Sequence, residues 1–283
     1  MNRAVTFLLK CAGVWVALMI GQVLGGLLTG LIAPHGSNVM GHDGPLSAAM
    51  ALPVVAALFA LILGGLASQI RRPGQTKFLV LFTVLYVVGT VQSQIEAVYF
   101  NAYLKLSTAT TLGALAGDAV KTAIAVGAAT LFWRGPGSAS EPVGGLWWKL
   151  PLLSLLYVII YFGAGALIAW QGAAVRQYYA QGAHINIGQL AVLQIFRGAI
   201  WATVALLLTQ TLTGGRWLRA AFTGGAFSIF MASQLLYPIS FMPWDVRKFH
   251  IMEVGSSNFL YGLICVLILM LGVKALPSAA DRP

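Results

Sequence analysis

Eight long apolar stretches, separated by short polar ones, set the pattern along the chain. They cover about 11–33, 46–68, 78–102, 108–133, 148–170, 188–213, 217–237 and 249–273. Each is close to the roughly 20 apolar residues that a helix needs to cross a bilayer. Apolar residues follow one another without alternating, which is not a β-barrel pattern. In lipid, backbone polar groups must then be satisfied within helices. The pattern predicts an all-α polytopic integral membrane protein, a bundle of about eight transmembrane helices. The first stretch is too long for a signal-peptide core and carries no convincing cleavage site, so it is expected to stay as the first helix.

Composition removes other classes. Of 283 residues, 59% are hydrophobic and 8% charged, against about 25% charged in a soluble domain. An ordinary soluble enzyme and a disordered chain are both excluded. The spans leave no length for a sizeable soluble domain, so a site must lie between helices or in short loops.

The net charge of +10 is a matter of placement. Alternate loops put Arg3, Lys10, Arg71, Arg72, Lys77, Arg134, Lys149, Arg216, Arg219, Lys274 and Arg282 on one side, and only Lys105, Arg176, Arg247 and Lys248 on the other. The positive-inside rule makes the first side cytoplasmic, with both termini there, in the plasma (bacterial inner) membrane. No basic face with base-reading groups appears, so nucleic acid is not an expected partner. Membrane lipids are, through their anionic headgroups. Cys11 and Cys265 are too few for a disulfide framework or thiolate metal site and read as buried small apolar residues.

Residues Gly135–Gly145 are rich in Pro, Gly and Ser and read as a linker. The expected division is 1–134 for a first four-helix half, 135–147 for a cytoplasmic linker and 148–283 for a second half. A shift of about 140 residues places Ser93-Gln94 on Ser233-Gln234, Asp118 on Asn258 and Gly25 on Gly165. At a shift of 136, LIAPHG (31–36) falls on LIAWQG (167–172). Four spans per half would make this a parallel repeat; chance similarity among apolar segments is the alternative. Gly21, Gly25, Gly26 and Gly30 form small-xxx-small spacings suited to close helix packing, within the chain or across a homodimer. Trp133, Trp147, Trp148, Trp170, Trp217 and Trp244 sit near span ends, as an interfacial belt does.

A charge at mid-membrane costs roughly 2.5–3.5 kcal/mol on insertion scales, so such residues point to function. Gln92, Glu96, Asp118, Lys121, Gln194, Arg197, Gln234, His250, Glu253 and Asn258 all fall in the middle or outer part of their spans. The inner half has almost none. This asymmetry predicts a polar cavity opening to the exterior. Gln92, Glu96, Tyr99 and Tyr103 form one stripe at helical spacing, and His250, Glu253 and Ser257 another. Glu96 could pair with Arg197 or Arg247. Arg197 could instead hold an anion. Asp118 and Lys121 could neutralise each other. Asp245 is a candidate N-cap for a last helix from Val246 to Val273.

The expected substrate- or ion-binding residues are Glu96, Gln92, Arg197, Gln194, Arg247, His250, Glu253 and Asn258. Weak metal candidates are His250, Glu253, His35 and His42, with His184 as an added ligand. Nucleotide-binding, zinc-protease and serine-hydrolase motifs are absent, and no cofactor is implied. Three readings stay open. The first is a transporter or small-molecule- or ion-binding membrane protein. The second is an intramembrane enzyme, with or without a metal, acting on a lipid-like substrate at the periplasmic leaflet. The third is an accessory subunit of a larger membrane complex.

Overall fold

The computed structural model describes residues 2–34, 40–135, 137, 142–180 and 186–273, without the side chains of Ala102 and Tyr103. His35, His184, Lys274, Arg282 and part of the linker lie outside the described residues, as does the Tyr103 side chain. Eight long helices follow one another: α1 Arg3–Ile32, α2 Ala48–Gln69, α3 Gly74–Tyr99, α4 Thr108–Phe132, α5 Leu146–Leu167, α6 Ile187–Thr211, α7 Arg216–Ala232 and α8 Trp244–Leu269. A short helix, Ala173–Ala180, lies between α5 and α6. Among the described residues there is no strand beyond isolated bridges. The protein is an all-α, multi-pass membrane bundle.

Local sequence explains the helix starts. The side chains of Asn2, Ser47, Ser107 and Asn186 each accept a backbone N–H from the first turn of α1, α2, α4 and α6. Pro73 and Pro243 precede α3 and α8, where a missing N–H costs nothing. The last helix starts at Trp244, so Asp245 is not its cap; Asp245 sits in the first turn and pairs with Lys248 at 2.6 Å. The α8 N-terminus is capped from afar instead. Asp43, in the loop before α2, accepts the Trp244 N–H at 2.9 Å.

Seven of the helices are long and apolar enough to cross a membrane. The exception, α7, has 17 residues. A 3₁₀ turn, Ser233–Leu236, extends it. Together they span about 33 Å, as the α2 helix does. The Thr213 N–H donates to Gln69 O at 3.1 Å, and the Met40 N–H to Pro238 O at 2.9 Å. Both ends of α7 thus meet the ends of α2, and α7 runs the full depth of the bundle beside it.

The starts of α1, α3, α5 and α7 and the ends of the other four helices share one face, the basic face. The described carboxylates, Asp43, Glu96, Asp118, Asp245 and Glu253, all lie toward the far face. Between the faces is an apolar core that includes Phe59, Leu63, Leu81, Trp201, Leu208 and Phe230. Leu8, Leu27, Leu31, Leu79 and Val192 point outward, as lipid-facing residues do.

The two halves share bonds at matching places. Lys77 Nζ donates to Ala67 O at 3.2 Å, and Arg219 donates to Thr209 O at 2.8 Å. Donors and acceptors are each 142 residues apart. Trp15 on α1 donates to Pro53 O on α2, and Ser154 on α5 to Ile195 O on α6, the acceptors again 142 apart. Ile70 and Leu212, also 142 apart, pair with each other as an antiparallel bridge. In each half the first helix packs on the second and fourth, and the third on the fourth.

Glycine permits the closest of these contacts. A Cβ at Gly25 would stand 2.3 Å from Gly117 O on α4, while one at Gly26 would meet nothing within 4 Å. Thr29 Oγ1 bridges the same seam to Gly113 O at 2.9 Å. Gly21 also faces α4, and Gly64, Gly65 and Gly224 face other parts of the chain, so internal packing accounts for these positions. Gly25→Ala is expected to lower stability by roughly 1–3 kcal/mol, the usual cost of overpacking, and Gly26→Ala to leave it unchanged. Thermal unfolding of the detergent-purified variants checks this; equal effects would remove the close seam.

Candidate functional site

Four helices bring polar side chains together in the far half of the bundle. At the centre is Arg197 on α6, 2% exposed, whose Nη1 lies 3.1 Å from Glu96 Oε1 on α3. Its Nε donates to Gln92 Oε1 at 3.1 Å, and Nη1 donates to Gln194 Oε1 at 2.9 Å. Gln92 Nε2 in turn donates to the Arg197 carbonyl at 3.2 Å. The α5 helix supplies two tyrosines. Tyr161 donates to Glu96 Oε1 at 3.1 Å, and the Tyr157 ring lies 5.9 Å from the guanidinium. Glu96 is 26% exposed, so the pair is buried on one side and reaches solvent on the other.

Sequence explains this placement. Gln92 and Glu96 are one helical turn apart, as are Tyr157 and Tyr161; Gln194 and Arg197 are three apart, so each pair shares a face. A π turn at Val87–Val91 interrupts α3 just before Gln92. There Thr90 donates to Asp118 Oδ2 at 2.9 Å, and Gly89 O accepts Gln234 Nε2 at 2.6 Å. Asp118 also holds Lys121, so that pair neutralises itself.

A second group lies on α8. His250 Nδ1 is 2.6 Å from Glu253 Oε2, with side-chain exposures of 15% and 11%. The other ring nitrogen, Nε2, meets the Tyr179 hydroxyl of the short helix at 3.3 Å. The Glu253 carboxylate stands over Gly165 on α5, where a Cβ would come within 3.5 Å of Oε1. Tyr161 lies within electrostatic reach of both Glu96 and Glu253. The two groups therefore flank one tyrosine-lined stretch of α5.

Not every expected residue joins. Arg247 belongs to a separate latch at the far face, where it donates to Asp43 Oδ2 at 2.8 Å and Asp43 O at 2.6 Å, and also to Tyr237 O. Its alternative pairing with Glu96 is not made. Asn258 is buried farther along α8, and no described hydrogen bond ties it to either group. Arg197 is engaged by Glu96 and two glutamines, which leaves less of it for a bound anion. Among the described residues no three His, Cys, Asp or Glu side chains gather as a metal site would require. His42 lies in the loop before α2, and His35 lies outside the described residues.

Sequence reasoning missed the tyrosines. Tyr157, Tyr161 and Tyr179 sit in or beside apolar runs and carry no motif; their spacing of four on α5 was the available signal. It also missed Asp43, whose partners lie about 200 residues away in the chain.

No protein-family model, curated protein or solved structure matches this chain. Its fold and this polar assembly therefore carry the functional argument alone.

What the site can do chemically follows from its donors and charges. Gln194 Nε2 is buried beside the guanidinium without a hydrogen-bond partner, a donor left over for an acceptor. Two carboxylates face one permanent cation, and His250 supplies a titratable imidazole. Removing one member of a buried ion pair strands the other, at a cost of about 3–5 kcal/mol. Arg197→Met is expected to destabilise the protein on that scale, and Arg197→Met combined with Glu96→Gln by much less. Unfolding of both variants measures the coupling; additive losses would mean that the pair does not act as a unit.

Proposed function

We propose that this chain binds a small cationic or zwitterionic molecule, or an ion, from the far face, as a transporter or small-molecule-binding membrane protein. The observation that carries the reading is the charge of the assembly. Glu96 and Glu253 outnumber Arg197, leaving a negative excess unless His250 is protonated. The unpartnered Gln194 amide supports a ligand that also carries an acceptor. Buried, imbalanced polar groups inside a membrane bundle are costly and mark ligand or ion pathways. The positive-inside rule supports a cytoplasmic basic face, with both termini there and the site opening to the periplasm of a bacterial inner membrane. Matching bonds at a spacing of 142 residues support a 4+4 parallel repeat, with the site formed where the two halves meet.

A second reading rests on one observation. Glu253 holds one nitrogen of His250 while the other faces Tyr179, an orientation suited to a general base. An intramembrane enzyme acting on a lipid-like substrate would use that dyad without needing a metal.

Purified protein screened against small amines, amino-acid zwitterions, monovalent cations and anions tests the first reading. At least one cationic or zwitterionic compound is expected to raise the melting temperature of the native protein and to lose that effect in Glu253→Gln or Glu96→Gln. Stabilisation by anions alone, or responses unchanged in both variants, would sink it.

A further inference from the structure

A cavity of about 360 Å³ opens at the basic face, remote from the polar assembly. Its lining includes Arg72, Lys77 and Arg134, together with Trp133 and Thr130. Arg72 and Lys77 are 8% and 4% exposed. Lys10 adds a fourth cation, its Nζ 5.5 Å from the Trp133 ring. Among the described residues no carboxylate lies on this face.

Part of this charge has a packing role. Lys77 donates to Ala67 O near the end of α2 and to Trp133 O after the end of α4, where a cation offsets the exposed carbonyls. Those bonds use two of the ammonium's three donors. Arg219 does the equivalent work in the other half, donating to Thr209 O and Gly214 O. The remaining charge has no such counterpart. The position 142 residues after Arg72 is Gly214, and Arg134 is exposed, with no ion pair among the described residues. Thr130 Oγ1, which also lines the cavity, is buried and has no hydrogen-bond partner, although a helical threonine can bond the preceding turn.

We infer that this cavity binds a phosphate group. Three cations converge there without an acid. Arginine is suited to phosphate oxygens, and the orphan hydroxyl offers one more donor. The volume falls within the range of small-ligand sites. The cavity stands at the ends of α2 and α4 and the start of α3, at headgroup level. Basic pockets between transmembrane helices at that level take anionic lipid headgroups. A soluble phosphate ester entering from the basic face would present the same chemistry.

The full-length protein, delipidated in neutral detergent, is titrated with phosphatidylglycerol, with phosphatidylcholine as the zwitterionic control, and separately with inorganic phosphate and glycerol 3-phosphate. The readout is the melting temperature. Phosphatidylglycerol or a soluble phosphate is expected to raise it in a saturable way, with phosphatidylcholine giving no comparable shift. Arg134→Gln removes an exposed charge without touching the Lys77 bonds. It should fold normally and weaken the apparent affinity about tenfold, the loss of one charge-assisted bond. A shift with phosphatidylglycerol alone identifies a lipid headgroup; a shift with either soluble anion identifies a free phosphate. No shift from any of them overturns the proposal, as does an equal shift in native protein and in Arg134→Gln and Arg134→Glu.

Discussion

The guanidinium of Arg197 is the constraint around which the far half of the bundle is organised. An arginine held 2% exposed inside a membrane bundle needs a counter-charge and a full set of acceptors. Glu96 supplies the charge, and Gln92 and Gln194 supply acceptors. Glu96 and Gln92 come from α3 in the first half, Arg197 and Gln194 from α6 in the second. One buried cation thereby ties the halves together. Tyr161 then fixes the free side of Glu96, which draws α5 into the same arrangement, and α8 follows through Glu253 beside Gly165.

The basic face obeys a different logic. There the cations sit at helix ends and satisfy backbone carbonyls. Lys77 and Arg219 do this at equivalent places, and Lys149 does it at the end of α8, donating to Leu269 O and Leu271 O. The two faces differ in how charge is neutralised. Toward the far face, side chains pair with side chains; on the basic face, ammonium and guanidinium groups meet carbonyl dipoles. Only the second arrangement leaves net positive charge, and so only that face attracts anions as a whole.

Much of this was legible in the amino-acid sequence because lipid imposes simple rules. Continuous apolar runs of span length become helices, and the eight expected stretches coincide with α1 to α8. Costly residues within those runs must find partners, so Glu96 with Arg197 and His250 with Glu253 could be anticipated from depth and spacing. The shortfalls share a cause: each depends on contacts made across the chain. Asp43 caps α8 and pairs with Arg247 only because the loop before α2 folds over the far face. The α7 helix looks like a full apolar span, yet it ends as α-helix at Ala232 and completes its crossing in a tighter turn. Tyrosines within apolar runs are indistinguishable from packing residues until a carboxylate is seen beside them.

The π turn in α3 has an evolutionary meaning. Such a turn is equivalent to one extra residue slipped into an α-helix, and one residue corresponds to about 100° of rotation. Everything beyond Val91 is therefore swung around the axis relative to the segment before it. Without that insertion the packing face of α3 from Lys77 to Leu85 could stay in place, while Gln92 and Glu96 would be turned away from Arg197. A single inserted codon is thus enough to convert a plain packing helix into one that delivers a carboxylate to the seam between two halves. It does so without disturbing the contacts on the basic face.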